Sequence, residues 1–293
     1  PLALPSSIWT VMTEASDILR HRALFLSDVH LGSRGCQSAM LLDFLERHDA
    51  ETIYLVGDIV DGWRLRRDWY WPQMHNDVVN ALLTRAHDGR SLIYVPGNHD
   101  EAMRGYLGTH FGGVEIMASA EHVGVDGRRY LVTHGDQFDN IEVHAKWHAH
   151  VGDRAYVLAL WLNRWVNRIR RLWDGQYWSL SNWAKQQIKR AVNYISEYEA
   201  VLVDDARRGG FHGVICGHIH KANMRDIDGI AYLNCGDWVE SCTAVVEHHD
   251  GRFELIDWAG ETRRNHQRER SRRGGRAGRR NDARRSERTE PRP

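Results

Sequence analysis

Six short apolar runs along this chain each stop abruptly at a block of polar residues, and that repeat limits the fold more than any other feature. Ala23–Ser27 ends in Asp-x-His, Thr52–Val56 in Gly-Asp, and Ser91–Val95 in Pro-Gly-Asn-His. Further on, Arg129–Thr133 leads to His134, Gly213–Cys216 to Gly-His-Ile-His, and Ile230–Asn234 to Gly236-Asp-Trp. Runs of this length and apolarity read as buried strands. Between the first three, Ser38–His48 and His75–His87 carry apolar residues at helical spacing. The resulting β-α-β-α-β order predicts an α/β fold, with polar residues gathered at the C-terminal ends of the strands, where such sheets place their sites. Thr243–Glu247 and Arg252–Ile256, joined through Asp250-Gly251, read as a closing hairpin.

The formal charge of zero hides an asymmetry. Residues 263–293 hold 13 Arg against 4 acidic residues, so the body carries −9 and the tail +9. That tail is too poor in apolar residues to order itself, and 258–293 is expected to be disordered. It suits an anionic membrane surface or simple solvation; no nucleic-acid module with stacking aromatics accompanies it, so no specific nucleic-acid partner is expected. No 18-residue apolar run exists, and residues 1–22, with 1–11 preceding Met12, read as a flexible leader without signal-peptide layout. The expected address is cytoplasmic, peripheral at the inner face of the membrane. Cys36, Cys216, Cys235 and Cys242 lack C-x-x-C spacing and read as reduced, buried thiols.

Asp28, His30, Asp58, Asn98, His134, His218 and His220 stand at the ends of these runs, offering carboxylate, imidazole and amide oxygen without thiolate. Hard or borderline divalent ions such as Mn²⁺ take that mixture. With Asp58 bridging, Asp28, His30 and His220 can complete one metal and Asn98, His134 and His218 a second. Two such ions form a clamp for in-line phosphoryl displacement. His99, next to a ligand, is placed to protonate the leaving oxygen, with Asp100 as the residue to orient it. Asp61 and Asp136 read as groups that fix loops, and His75, His110 and His248 as ordinary surface or core residues.

Between His134 and His218 lies the longest gap between ligands, and it reads as a helical insertion at about 140–208. One amphipathic stretch carries Leu158, Trp161, Leu162 and Trp165 on one face, with Arg164 and Arg168 on another; a second runs from Ala184 to Leu202 and is ended by Gly209-Gly210. Six of the 12 Trp fall between Trp147 and Trp183. Because the insertion begins beside a ligand, Leu158, Trp161 and Trp165 are candidates for holding a lipid chain, and Arg164 and Arg168 for phosphates. A homodimer interface built from the same helices is the competing reading. Trp63, following the Gly-Asp block, is a further candidate, for the rim of the site, plain packing being the alternative.

Together, Asp-x-His, Gly-Asp-x-x-Asp, Gly-Asn-His-Asp, His134 and Gly-His-x-His resemble the calcineurin-like metallophosphoesterases over residues 23–257. The resemblance implies a four-layer α/β/β/α sandwich with a helical cap, and a dinuclear centre often filled by Mn²⁺. Gly57–Trp63, the insertion and Asn234–Trp238 are similar to the UDP-2,3-diacylglucosamine pyrophosphatases. Those enzymes release UMP and 2,3-diacylglucosamine 1-phosphate in lipid A synthesis, and their insertion takes the acyl chains. They commonly carry Arg after the motif Asn, where this chain has His99. The resemblance thus implies a nucleotide-lipid substrate, with another lipid-linked or nucleotide phosphoester as the alternative. A non-enzymatic membrane or RNA adaptor is the remaining reading, opposed by the complete ligand set.

Overall fold

In the computed structural model, residues 18–138 and 180–264 are described. The strands are β1 (Leu19–Leu26), β2 (His48–Val56), β3 (Ser91–Val95), β4 (His110–Phe111), β5 (Val114–Ile116), β6 (Ala120–Val123) and β7 (Arg129–Val132). They continue with β8 (Gly213–Cys216), β9 (Asn223–Ile227), β10 (Ile230–Asn234), β11 (Thr243–Glu247) and β12 (Phe253–Asp257). The helices are α1 (Ser38–Arg47), α2 (Gly62–Arg67), α3 (Gln73–His87) and α4 (Leu180–Arg208). One sheet has the order β12-β11-β1-β2-β3-β5-β4 and the other β6-β7-β8-β10-β9.

Alternation along single strands explains how two sheets and two helical layers stack. Neighbouring strand residues point to opposite faces. On β1, Leu24 and Leu26 join Leu41, Phe44, Val78 and Leu82 under α1 and α3, whereas Ala23 and Phe25 face the second sheet through Tyr130, Val132, Ile215 and Leu233. On β8, Val214 and Cys216 turn the other way, against Tyr198, Leu202, Val203 and Ala206 of α4. Strands buried on both faces lose their polar alternation, which is why they read as continuous apolar runs. The result is a mixed α/β sandwich with apolar layers between helices and sheet, between the sheets, and between sheet and helix.

Parallel pairing brings the useful ends together. β1, β2, β3 and β5 run parallel in one sheet, and β7, β8 and β10 in the other. Their C-terminal ends all open at the same edge of the sandwich.

Several boundaries differ from the sequence expectation. β1 starts at Leu19, so 19–22 belongs to the sheet rather than to a leader; Leu19 pairs with His48 and His21 with Ala50. His48 belongs to β2, not to the preceding helix. Its ring stacks on Phe44 and His21, which makes a polar residue a core one. Residues 258–264 are helical, where disorder was expected from 258; Trp258 is buried and its Nε1 donates to Asp43 at 3.1 Å. The C-terminal part of α4 is built into the sandwich rather than added to it. Its end is closed by Gly209, which donates to Asp205 O at 2.9 Å, and by Gly210 at φ +71°. Among the described residues, no helix is long and apolar enough to cross a membrane, and the four cysteines are free thiols.

Candidate dinuclear metal centre

The chain leaves its strands at the site by an unusual backbone route. Asp28, His30, Asp58, His218 and His220 all have φ between 53° and 71°. A left-handed conformation is costly for residues with a Cβ and persists only where surroundings impose it. Here the imposition is a set of cross-strand bonds: Asp28 N to Gly57 O at 3.0 Å, His30 N to Asp58 O at 2.9 Å, and Trp238 N to Asp28 O at 3.0 Å. The sharp turns lift side chains that would otherwise lie in the sheets up to its open edge.

Three overlapping groups of ligand atoms result: Asp28, His30 and His220; His30, Asp58 and His99; and Asp58, His134 and His218. Any of them could hold a metal ion. His220 Nε2 lies 3.1 Å from Asp28 Oδ1 and 3.3 Å from His30 Nε2. Asp58 Oδ2 lies 3.9 Å from His30 Nε2 on one side and 3.4 Å from His134 Nε2 on the other. Asp58 is therefore the group shared between the two ends of the site.

Asn98 Oδ1 is buried without a hydrogen-bond partner, and Asp28 Oδ1 and His134 Nε2 have only ionic contacts, at 3.1 Å to His220 Nε2 and 3.4 Å to Asp58 Oδ2. Leaving a buried acceptor unmatched costs roughly 1–3 kcal/mol, so a cation bound at Asn98 would remove a real penalty. The tautomer of His134 supports this. Its Nδ1 donates to Val56 O at 3.0 Å, so Nε2, turned toward the centre, is the nitrogen whose proton an ion would displace. Charge points the same way. Burial lowers the affinity of His134 for protons, but the Asp58, Asp28 and Asp136 carboxylates outweigh it and raise the ring to about 10. At His220 burial is likewise outweighed, chiefly by Asp28, and the ring rises to about 9. Burial would raise Asp58, yet His134 draws it down to about 2. In this structure protons on histidine answer a concentration of negative charge that divalent ions suit better.

His99 stands at the rim, about a quarter exposed, with Nε2 3.9 Å from Asp58 Oδ2. Its Nδ1 donates to Asp61 Oδ1 at 2.9 Å, and its ring centroid lies 4.2 Å from that of Trp63. Asp61 thus orients His99, and the expectation for Asp100 is corrected. Asp100 is turned inward, accepting from Ile59 N at 2.7 Å, from Gly97 N at 2.6 Å and from the Tyr94 hydroxyl. Its carboxylate is consumed in tying the Asp58 turn to the Asn98 turn.

A family model described as calcineurin-like phosphoesterase matches residues 21–222. The chain belongs to that family. Curated relatives include a UDP-2,3-diacylglucosamine hydrolase of Aromatoleum aromaticum, 27% identical over 81% of this chain and 94% of the relative. Another, of Neisseria meningitidis serogroup B, carries the same name and is 24% identical over 76% of this chain and 92% of its own length. Among solved structures, the E. coli phosphoesterase Yfce aligns over 80% of this chain and 98% of its own at 14% identity, with a TM-score of 0.39.

The calcineurin-like phosphoesterase motifs therefore meet at one edge of the sandwich, including Asp28, His30, Asp58, Asn98, His99, His134, His218 and His220. Trp63, on α2, is there too, with its indole 41% exposed beside His99. Leu158, Trp161, Arg164, Trp165 and Arg168 lie outside the described residues. Two contributors were missed or misjudged from sequence. Ser27, whose hydroxyl lies within hydrogen-bond reach of both Asp28 Oδ2 and Val56 O, gave no signal beyond its place in the motif. Asp61 was in view through the Gly-Asp-x-x-Asp spacing, but its partner was not.

Proposed function

We propose that the chain is a dinuclear-metal phosphohydrolase that cleaves the pyrophosphate of UDP-2,3-diacylglucosamine to UMP and 2,3-diacylglucosamine 1-phosphate. The observation that carries it is Asp58 Oδ2, set between two ligand groups and backed by the unpartnered buried Asn98 Oδ1. The relatives' shared name supplies the substrate class. Asp28, His30 and His220 would hold one ion, and Asn98, His134 and His218 the other, with Asp58 common to both and Mn²⁺ the expected metal. The chemistry such a pair supplies is Lewis-acid activation of water and of the phosphoryl group. The chain's own part falls to His99. With Nδ1–H held by the Asp61 carboxylate, a protonated His99 presents Nε2–H toward the centre and can pass that proton to the leaving oxygen. Trp63 closes one side of His99 and leaves its indole open to substrate.

Leu158, Trp161, Arg164, Trp165 and Arg168 complete this reading as the lipid- and phosphate-binding group, and the Arg-rich tail as an attachment to an anionic membrane face. The test is incubation of the Mn²⁺-loaded protein with UDP-2,3-diacylglucosamine. Release of UMP is expected; absence of UMP alongside rapid cleavage of an aryl phosphodiester would favour a second reading, a phosphodiesterase or phosphatase for another lipid-linked or nucleotide substrate. His99 is the observation behind that alternative, because a histidine at this position offers proton transfer that an always-charged arginine does not.

A further inference from the structure

α4 reaches the centre through one side chain. Tyr198 is 1% exposed, and its hydroxyl lies 3.4 Å from His134 O and 3.4 Å from Gly217 O. These carbonyls belong to the two turns that carry His134 and His218, on strands β7 and β8. Among the described residues the two segments are also joined by backbone bonds from Thr133 N to Ile215 O at 3.1 Å and from Gly217 N to His134 O at 3.3 Å. The Tyr198 ring lies 5.8 Å from that of His218, which itself lies 5.1 Å from the ring of His134. The fit is specific to this side chain. Gly135, at φ +103°, has no Cβ; one built there would overlap the Tyr198 hydroxyl and come within 3.0 Å of its Cζ. On the far side, Asn234 Nδ2 donates to Gly217 O at 2.8 Å, so the carbonyl that Tyr198 approaches is already fixed in direction.

We propose that Tyr198 is a positioning residue that sets the spacing of His134 and His218, so that α4 tunes the affinity of the half of the metal centre they would hold more than that of the other. This inference rests on the two-metal reading above. Among the described residues α4 makes no contact of this kind with the turn of Asp28 and His30, which is braced by Ser27, by Trp238 N and by His218 N donating to Asp28 Oδ2 at 2.9 Å. Residues that orient ligands from behind usually change metal affinity by about 10–100-fold when lost. A residue that only fills the core changes stability without choosing between two ions.

The experiment is Mn²⁺ titration of the full-length, metal-depleted protein by calorimetry, with electron paramagnetic resonance to distinguish coupled from isolated ions. Wild type, Tyr198→Leu, Tyr198→Phe and Leu202→Ala are compared. Leu202 is buried one turn further along the same face of α4 and, among the described residues, makes no hydrogen bond to the carbonyls of His134 or Gly217. Expected is a loss of about 10-fold or more for one of two ions in Tyr198→Leu. A smaller loss is expected in Tyr198→Phe, which keeps the ring, and two ions of wild-type affinity in Leu202→Ala despite a lowered melting temperature. Equal weakening of both ions in Tyr198→Leu would overturn the proposal, as would the same single-ion loss in Leu202→Ala or unchanged affinities in a folded Tyr198→Leu. Fewer than two ions in wild type would instead overturn the dinuclear reading itself, and this proposal with it.

Discussion

Gly97→Ala tests the centre with the smallest possible addition. Gly97 has an ordinary backbone conformation, so the substitution acts through the methyl group alone. That methyl would stand 2.6 Å from His134 Cδ2 and 2.7 Å from His134 Nε2, and closer still to Asp58 Oδ1. Moving Nε2 from 2.7 Å to the 3.4 Å of an ordinary contact is a shift of about 0.7 Å, and Asp58 must retreat further. Metal ligands tolerate about 0.2 Å. The residues that must give way are buried and hydrogen-bonded, His134 to Val56 O and Asp58 to His99 N at 2.8 Å, so relaxation would break one of these bonds. A misplacement near 1 Å typically costs about 100-fold in rate. Hydrolysis of an aryl phosphodiester should therefore fall by about 100-fold or more, with the ion bound near His134 weakened in parallel and the far-ultraviolet dichroism unchanged. Wild-type activity and metal content in a folded Gly97→Ala protein would refute the idea that Asp58 and His134 must both keep these positions.

Asp61→Asn should lower kcat by about 10–100-fold, and His99→Asn by more, on esters with poor leaving groups, with much smaller effects on p-nitrophenyl esters. Equal losses on both would place His99 outside leaving-group protonation. Chelation should lower the melting temperature, and Mn²⁺ at about 100 times its Kd should restore about 2.7 kcal/mol, or about 5–10 °C for a domain of this size. No shift in calorimetry would contradict a site assembled for cations. His21 and His48, which share a 2.9 Å hydrogen bond, are both held down to about 4, first by burial and then by neighbouring histidines. The unfolded chain binds protons from 6.5 downward while the folded pair does not, so stability is lost as pH falls from about 6.5 to about 4. Counting one shared proton at about 1.4 kcal/mol per pKa unit gives on the order of 3 kcal/mol. Urea unfolding between pH 7 and pH 4.5 should show that slope, flattened when both rings are replaced by Phe; an unchanged slope in the double variant would assign it elsewhere.

The candidate ligands were legible because glycine-flanked polar blocks at the ends of apolar runs have few structural uses besides presenting side chains at a sheet edge. The partner of His99 was not legible. Asp100 is adjacent in sequence, but successive residues in a turn diverge, and Asp100 is drawn inward by Ile59 N and Gly97 N while Asp61 arrives from another strand end. Tyr198 read as one member of an apolar stripe, since its hydroxyl matters only through carbonyls 64 and 19 residues away. Polar strand starts were hidden for a similar reason. His21 and His48 look like solvent residues until their mutual stacking at 5.2 Å is seen. Trp258 gave no sign of order because its partner, Asp43, lies 215 residues earlier.

The left-handed ligands carry a consequence for how this chain can change over generations. At roughly 1 kcal/mol apiece, Asp28, His30, Asp58, His218 and His220 form a standing penalty that glycine would erase at each position. Drift toward stability therefore runs directly against retention of the ligands. A chain released from catalysis would find its easiest stabilising substitutions at these five sites. Aspartate and histidine stand at all five in this sequence, each at that cost.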